Sequence, residues 1–137
     1  MSQGDVEIVE EFTRRFAAGA HVTDDYFGPE IVWDTSESGL PSAGVYHGRE
    51  GVRRFFRDWL APWADYELEV RECVDAGGAV VLVFRQAGTG RGSGLRIERD
   101  FFAVWELENS MVVRFRLFAS REQAFEAAGA LEPREHD

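Results

Sequence analysis

Few side chains in this sequence could do polar chemistry away from water, and most of them lie in or beside one stretch. Residues 95–118 read LRIERDFFAVWELENSMVVRFRLF, two alternating arms meeting at Glu108, Asn109, Ser110 and Met111. Alternation sends successive side chains to opposite faces of a strand. One face carries Phe101, Ala103, Trp105 and Leu107, then Val113, Phe115 and Leu117. The other carries Asp100, Phe102, Val104 and Glu106, then Arg114, Arg116 and Phe118, so charges are set among large apolar groups. A carboxylate in such company can move protons if its pKa suits the task. A neighbouring guanidinium instead holds it ionised. Arg85, Arg114 and Arg116 could also clamp an anionic group bidentately. Asp34, at the end of Ile31-Val32-Trp33-Asp34 and before Thr35 and Ser36, suits the capping of a turn.

Other chemistries are excluded or weak. All fifteen basic residues are arginine, which removes any lysine Schiff base or lysine general base. The single Cys73 allows no intramolecular disulfide and no thiolate-rich metal site. His21, His47 and His136 share no metal-ligand spacing, so no metal is expected. GTGRGSG, residues 88–94, joins two strands and opens no helix, so it lacks the helix N-terminus that binds phosphate. A formal charge of −10 argues against nucleic acid, which needs a concentrated basic surface. No apolar run approaches the ~20 residues that cross a bilayer. The opening MSQGDVEIVEEF is acidic and has no basic region before an apolar core. It predicts no signal peptide and a cytoplasmic protein.

The elements that must position these groups read in order. Residues 4–18 form an amphipathic helix, with Ile8, Phe12 and Phe16 spaced by four. A helical turn at 23–27 stops at Gly28-Pro29, a short strand covers 30–34, and 35–44 is a turn-rich loop. In GREGVRRFFRDWLAPW, Val52, Phe55, Phe56, Trp59, Leu60 and Trp63 fall on one helical stripe that Gly48 opens and Pro62 ends. A strand over 66–74 ends in Asp75-Ala76-Gly77-Gly78, a strong hairpin cue. Residues 79–87 carry Val80, Leu82 and Phe84 on one face and Val81, Val83 and Arg85 on the other. Residues 120–128 form a last helix with Ser120 and Gln123 as a capping box, and 131–137 are a polar tail. The order predicts an α+β cone or roll, a meander of about four antiparallel strands covered by helices on one face. One domain over 1–130 is expected at this length. Alternation alone gives the wholly apolar face to the helices and the mixed face to solvent.

The sequence resembles the SnoaL-like branch of the nuclear transport factor two-like superfamily, with its ketosteroid isomerases and polyketide cyclases. The resemblance rests on Ala18-Gly19, Ile31 to Asp34, Gly44 through Val52 (GVYHGREGV) leading into Phe55-Phe56, Asp75-Ala76-Gly77, Arg85-Gln86, Val104-Trp105 and Arg121 through Gly129. It implies a curved sheet wrapped around helices with a deep apolar pocket, and a homodimer through the outer sheet face. On that reading the mixed face walls the cavity, as Val83, Arg85, Asp100, Phe102, Val104, Arg114, Arg116 and Phe118. Phe12, Phe16, Trp33, Phe55 and Trp59 join it from the other elements. Val80, Leu82, Phe84, Phe101, Trp105, Phe115 and Leu117, with Ala103 and Val113, then form the dimer surface.

The resemblance also assigns roles. Asp34 matches the family's carboxylate base, set against the plain reading as a turn cap. Asp100 matches its hydrogen-bond-donating acid, set against a buried ion pair with Arg85 or Arg116. Phe12 replaces the oxyanion tyrosine of the steroid isomerases, and Arg116 takes the place of the last aspartate of limonene epoxide hydrolases. Neither mechanism is supported. Three functions stay open: a cofactor-independent acid/base enzyme on an apolar carbonyl compound, a binding protein for an apolar ligand whose anionic group the arginines clamp, or a dimeric scaffold with a filled pocket.

Overall fold

A computed structural model of the chain describes residues 2–19, 23–40 and 43–129. Helix α1 (Ser2–Ala17) and the short α2 (Thr23–Tyr26) lead into β1 (Phe27–Asp34). β2 (Val45–His47), α3 (Gly48–Leu60) and the four long strands β3 (Trp63–Asp75), β4 (Val80–Gly90), β5 (Arg96–Glu108) and β6 (Met111–Phe118) follow, then α4 (Arg121–Gly129). One six-stranded sheet runs β2-β1-β6-β5-β4-β3. β1 lies parallel to β6 and every other pair is antiparallel, so the α+β fold is built on a mixed sheet. The polar tail, His21 and His136 lie outside the described residues.

Local chemistry accounts for the boundaries. Asn109 and Ser110, with φ of 52° and 67°, form the two-residue hairpin expected between the arms. Positive φ at both central residues matches the twist of the flanking strands. The Asp75 carboxylate accepts the Gly77 amide at 2.9 Å and closes the β3–β4 turn. The Ser120 hydroxyl accepts the Gln123 amide at 3.3 Å and starts α4. Gly48 begins α3 at φ 74°, where a side chain would be strained.

Three elements differ from expectation. β1 begins at Phe27 and runs through Gly28-Pro29, because the register with β6 breaks between Phe27 and Val32 and so tolerates a residue without an amide hydrogen. β2, three residues between the turn-rich loop and α3, was not expected. The glycine-rich segment 88–94 begins as ladder: β4 continues to Gly90, with Gly88 opposite Ile97 and Thr89 opposite Arg96, and the turn is confined to the residues after it.

The larger correction concerns the sheet faces. Val80, Leu82, Phe84, Phe101, Ala103, Trp105, Phe115 and Leu117 are buried beneath α1 and α3 with Val9, Phe12, Val52 and Phe55. They are the core and cannot be a dimer surface. Trp33 stacks on Phe115 with centroids 3.7 Å apart, and Trp105 meets both rings edge-on. Aromatic groups of that size dominate core energetics. A bulge between Glu106 and Leu107 brings Val112, not Val113, to this face, since one extra residue shifts the alternation. The mixed face is the outer one. Its Val81, Val104 and Phe118 are buried under α4 against Ala124 and Ala128, with Phe102 packed beside them. Alternation alone had the faces right: a wholly apolar surface is worth more buried than any mixed one.

The face assignment is testable by denaturation. Phe115→Ala is expected to cost about 3–5 kcal/mol in urea unfolding. Arg114→Ala, on the outer face, is expected to cost about 0.5 kcal/mol or less.

Candidate functional site

The helices do not fill the cone completely. An inner cavity of about 50 Å³ remains, and Phe12, Phe16, Trp33, Phe55 and Trp59 are all on its wall. A cavity of ~150 Å³ holds one benzene ring, so this one is too small for a ring. Aromatic packing has filled most of the deep cone. Beyond it lies an outer chamber of about 270 Å³, close to the lower end of ordinary ligand pockets. Leu40, Trp59, Tyr66 and Gln86 border both spaces. Trp63, Ile97, Arg99 and Phe101 complete the outer one with Ala87 and Gly88.

Gln86 is the polar centre of this arrangement. It continues the inward row Val80, Leu82, Phe84 on β4, and is 8% exposed. Its Oε1 accepts the indole N–H of Trp59 at 3.3 Å and the hydroxyl of Tyr66. An indole can only donate, so the amide orientation is determined. The amide nitrogen keeps its two N–H donors without a protein partner among the described residues. Burial pushes the Tyr66 phenol well above its usual pKa. Tyr66 therefore stays a neutral donor, not a base.

Trp63 reaches the chamber because of Gly88. A Cβ on Gly88 would fall 2.8 Å from the Trp63 ring and from the Asp65 carbonyl oxygen. The indole thus lies directly on the β4 backbone. Beside it on the same face of the sheet, Arg99 is the partner of Gln86 across the β4–β5 ladder. Its guanidinium sits over the Phe101 ring at 4.9 Å, a cation–π contact. Arg99 is the only charged residue among those described around the chamber.

The expected acid/base groups are elsewhere. The Asp34 carboxylate accepts the Ser36 amide at 2.9 Å and the Ser36 hydroxyl at 2.6 Å, so it caps the turn. It pairs in register with Arg116, on the outer face. Asp100 is exposed opposite Arg85 on that face, and the expected buried pair does not form. Arg85 instead binds Glu98 at 2.9 Å, which holds the Glu98 carboxyl below its usual range. Arg114 and Arg116 both lie 3.6 Å from Glu106. Burial, and Arg114 beside it, lower the pKa of Arg116. Val83, Arg85, Phe102, Val104, Arg114, Arg116 and Phe118 are accordingly not on the cavity wall. Alternation with Phe101 puts them on the far side of the sheet.

Among the described residues, other nucleophiles are also absent from the chamber wall. Cys73 packs against the core, where burial and then Glu10 push its thiol up to about 12. His47 precedes α3 without capping it. Among the described residues no group of three His, Cys, Asp or Glu side chains could hold a metal. None of their helices is long and apolar enough to cross a membrane.

A family model described as a SnoaL-like domain matches residues 9–115. The chain belongs to the SnoaL-like domain family. Solved structures agree with this SnoaL-like fold. Bal32a, from a soil-derived mobile gene cassette, superposes with a TM-score of 0.77 at 19% identity, covering 92% of this chain and 96% of its own. An NTF2-like protein from Burkholderia thailandensis E264 gives 0.75 at 29% identity, covering 87% and 95%. TerC, co-crystallised with polyporic acid, gives 0.72 at 18% identity, covering 93% and 99%. No curated protein matches the chain.

Gln86 and Arg99 were missed in the sequence as site residues, yet both had a signal. Each is the polar member of an otherwise apolar alternating row.

The Tyr66 environment has a measurable consequence. Because its folded pKa is raised, the stability it contributes is present below the unfolded value near 10 and is lost as pH rises toward the folded value. Tyr66→Phe is expected to remove the most alkaline step of the tyrosinate absorbance titration and to reduce the fall in melting temperature above pH ~10.

Proposed function

We propose that this SnoaL-like protein binds one small apolar molecule in the outer chamber and does no proton-transfer chemistry through Asp34 or Asp100. The observation that carries this reading is the chamber's lining: four aromatic side chains and an amide anchored by two of them, Trp59 and Tyr66, with no carboxylate, imidazole or thiol among the described residues. General acid/base catalysis requires a titratable group within hydrogen-bond reach of the reacting proton. Both aspartates point to the other side of the sheet, and Tyr66 is held neutral by burial. Concave, mostly apolar sites with one or two placed polar groups are what small-molecule binding needs. TerC, a structural relative, was co-crystallised with the small molecule polyporic acid, which is consistent with this use of the fold.

The filled deep cone favours the outer chamber as the place of binding. A ligand there would lie against Trp59, Trp63 and Phe101. Stacking on preformed rings loses little side-chain entropy.

2-Naphthamide, a neutral bicyclic probe, tests this by quenching of tryptophan fluorescence. A Kd on the order of 10–100 µM is expected for a ligand of this size. Ile97→Trp, which fills the mouth from a half-exposed position, should abolish binding. Asp34→Asn and Asp100→Asn should leave Kd within about twofold. Loss of affinity in either aspartate variant, or unchanged affinity in Ile97→Trp, would contradict the reading.

A further inference from the structure

The chamber's polar groups also say what kind of head group it takes. From them we infer that the ligand is a flat aromatic monocarboxylate of one or two rings, its carboxylate bridging the Arg99 guanidinium and the Gln86 amide N–H groups; this deepens the binding reading above and rests on it.

Arg99 is unusual among the arginines near it. Arg96 is engaged by Glu67 at 3.1 Å and by Glu98 at 3.5 Å, and Arg91 donates to the Ala61 carbonyl at 3.0 Å. Arg85, on the far face, is neutralised by Glu98. Arg99 makes no ion pair or hydrogen bond with any described residue; its guanidinium lies over the Phe101 ring, with one terminal nitrogen close to Gly39. The ring orients the flat guanidinium and leaves its N–H edge unused. A guanidinium presents paired donors that match a carboxylate and binds it more strongly than a neutral acceptor.

Gln86 supplies the second donor. Residues 86 and 99 are direct partners across the ladder, so their Cβ atoms are about 5 Å apart. Its Oε1 is already used twice, which leaves only N–H groups to offer a ligand. Two donors and no free acceptor on facing strands select a planar group with two acceptor oxygens. An ammonium or an alcohol used as donor would find no partner there. With a single guanidinium, the site matches one negative charge; a phosphate dianion would leave charge uncompensated in an apolar chamber. The rest of the ligand is set by the walls. Trp59, Trp63 and Phe101 are flat, and about 270 Å³ is less than twice the ~150 Å³ that holds one benzene ring, which limits the body to one or two rings.

The experiment compares 2-naphthoate with its neutral isostere 2-naphthamide by calorimetric titration at pH 7, on the whole chain and on Arg99→Met, Arg99→Lys and Arg114→Met. 2-Naphthoate should bind at least about tenfold more tightly than 2-naphthamide. Arg99→Met should erase that preference while leaving the 2-naphthamide Kd within about twofold, and Arg99→Lys should restore part of it. Arg114→Met, on the outer face, should change neither. Arg99 is exposed, so these variants are expected to fold, and near-ultraviolet circular dichroism checks that they do. Equal affinity for the two probes, or a preference that survives Arg99→Met or disappears in Arg114→Met, overturns the carboxylate assignment while leaving the chamber as a binding site. Binding of neither probe overturns both.

Discussion

The wholly apolar face shared by β4, β5 and β6 has to be covered, and most of the structure follows from how that is done. Helices α1 and α3 lie on it, and Trp33 from β1 is drawn in to stack on Phe115 at 3.7 Å. The parallel pairing of β1 with β6 delivers that tryptophan, and it carries Asp34 to the opposite face in the same step, because neighbours along a strand alternate. One packing requirement therefore both completes the core and removes a carboxylate from the cavity. The outer face, left with ion pairs among Glu106, Arg114 and Arg116, needs only the short α4 to bury its apolar part.

The same requirement explains where the open space lies. Seven or more aromatic rings converge in the deep cone, and little room is left between them. Toward the far ends of β4 and β5 the inward row changes from Leu82 and Phe84 to Gln86 and Gly88, and from Trp105 and Phe101 to Arg99 and Ile97. Smaller and polar residues at those positions stop the core from closing. Gly88 goes furthest, since its missing side chain is what allows the Trp63 ring onto the sheet. The chamber is thus the frayed end of the core, with its polar groups already in place.

Much of this fold was legible in the sequence. Helical spacing of Phe12 and Phe16, the stripe from Val52 to Trp59, and the Asn109-Ser110 turn each reflect local rules that tertiary packing did not override. The face assignment is legible too, since alternation gives one wholly apolar face and burial of that face outweighs what the family resemblance implies. Asp34 and Asp100 matched a family pattern in position along the chain, but position does not say which side of a strand faces the cavity. The bulge that swaps Val112 for Val113, and the run of β1 through Pro29, depend on pairing between distant strands and leave little local trace. Gln86 and Arg99 were visible only as exceptions to a pattern. Such exceptions, polar residues in register on an apolar face, are the places where a sequence departs from pure packing and so mark function.

A ligand in the chamber lies on the helix-covered side of the sheet, away from Asp34, Asp100 and Arg116. The most direct measurement is a ¹H–¹⁵N spectrum of the protein recorded with and without 2-naphthamide. The indole N–H signals of Trp59 and Trp63 and the side-chain amide of Gln86 are expected to move, while the backbone amides of Asp34, Asp100 and Arg116 stay in place. Shifts confined to the amides of Asp34, Asp100 and Arg116, with Trp59, Trp63 and Gln86 unmoved, would contradict this placement of the ligand.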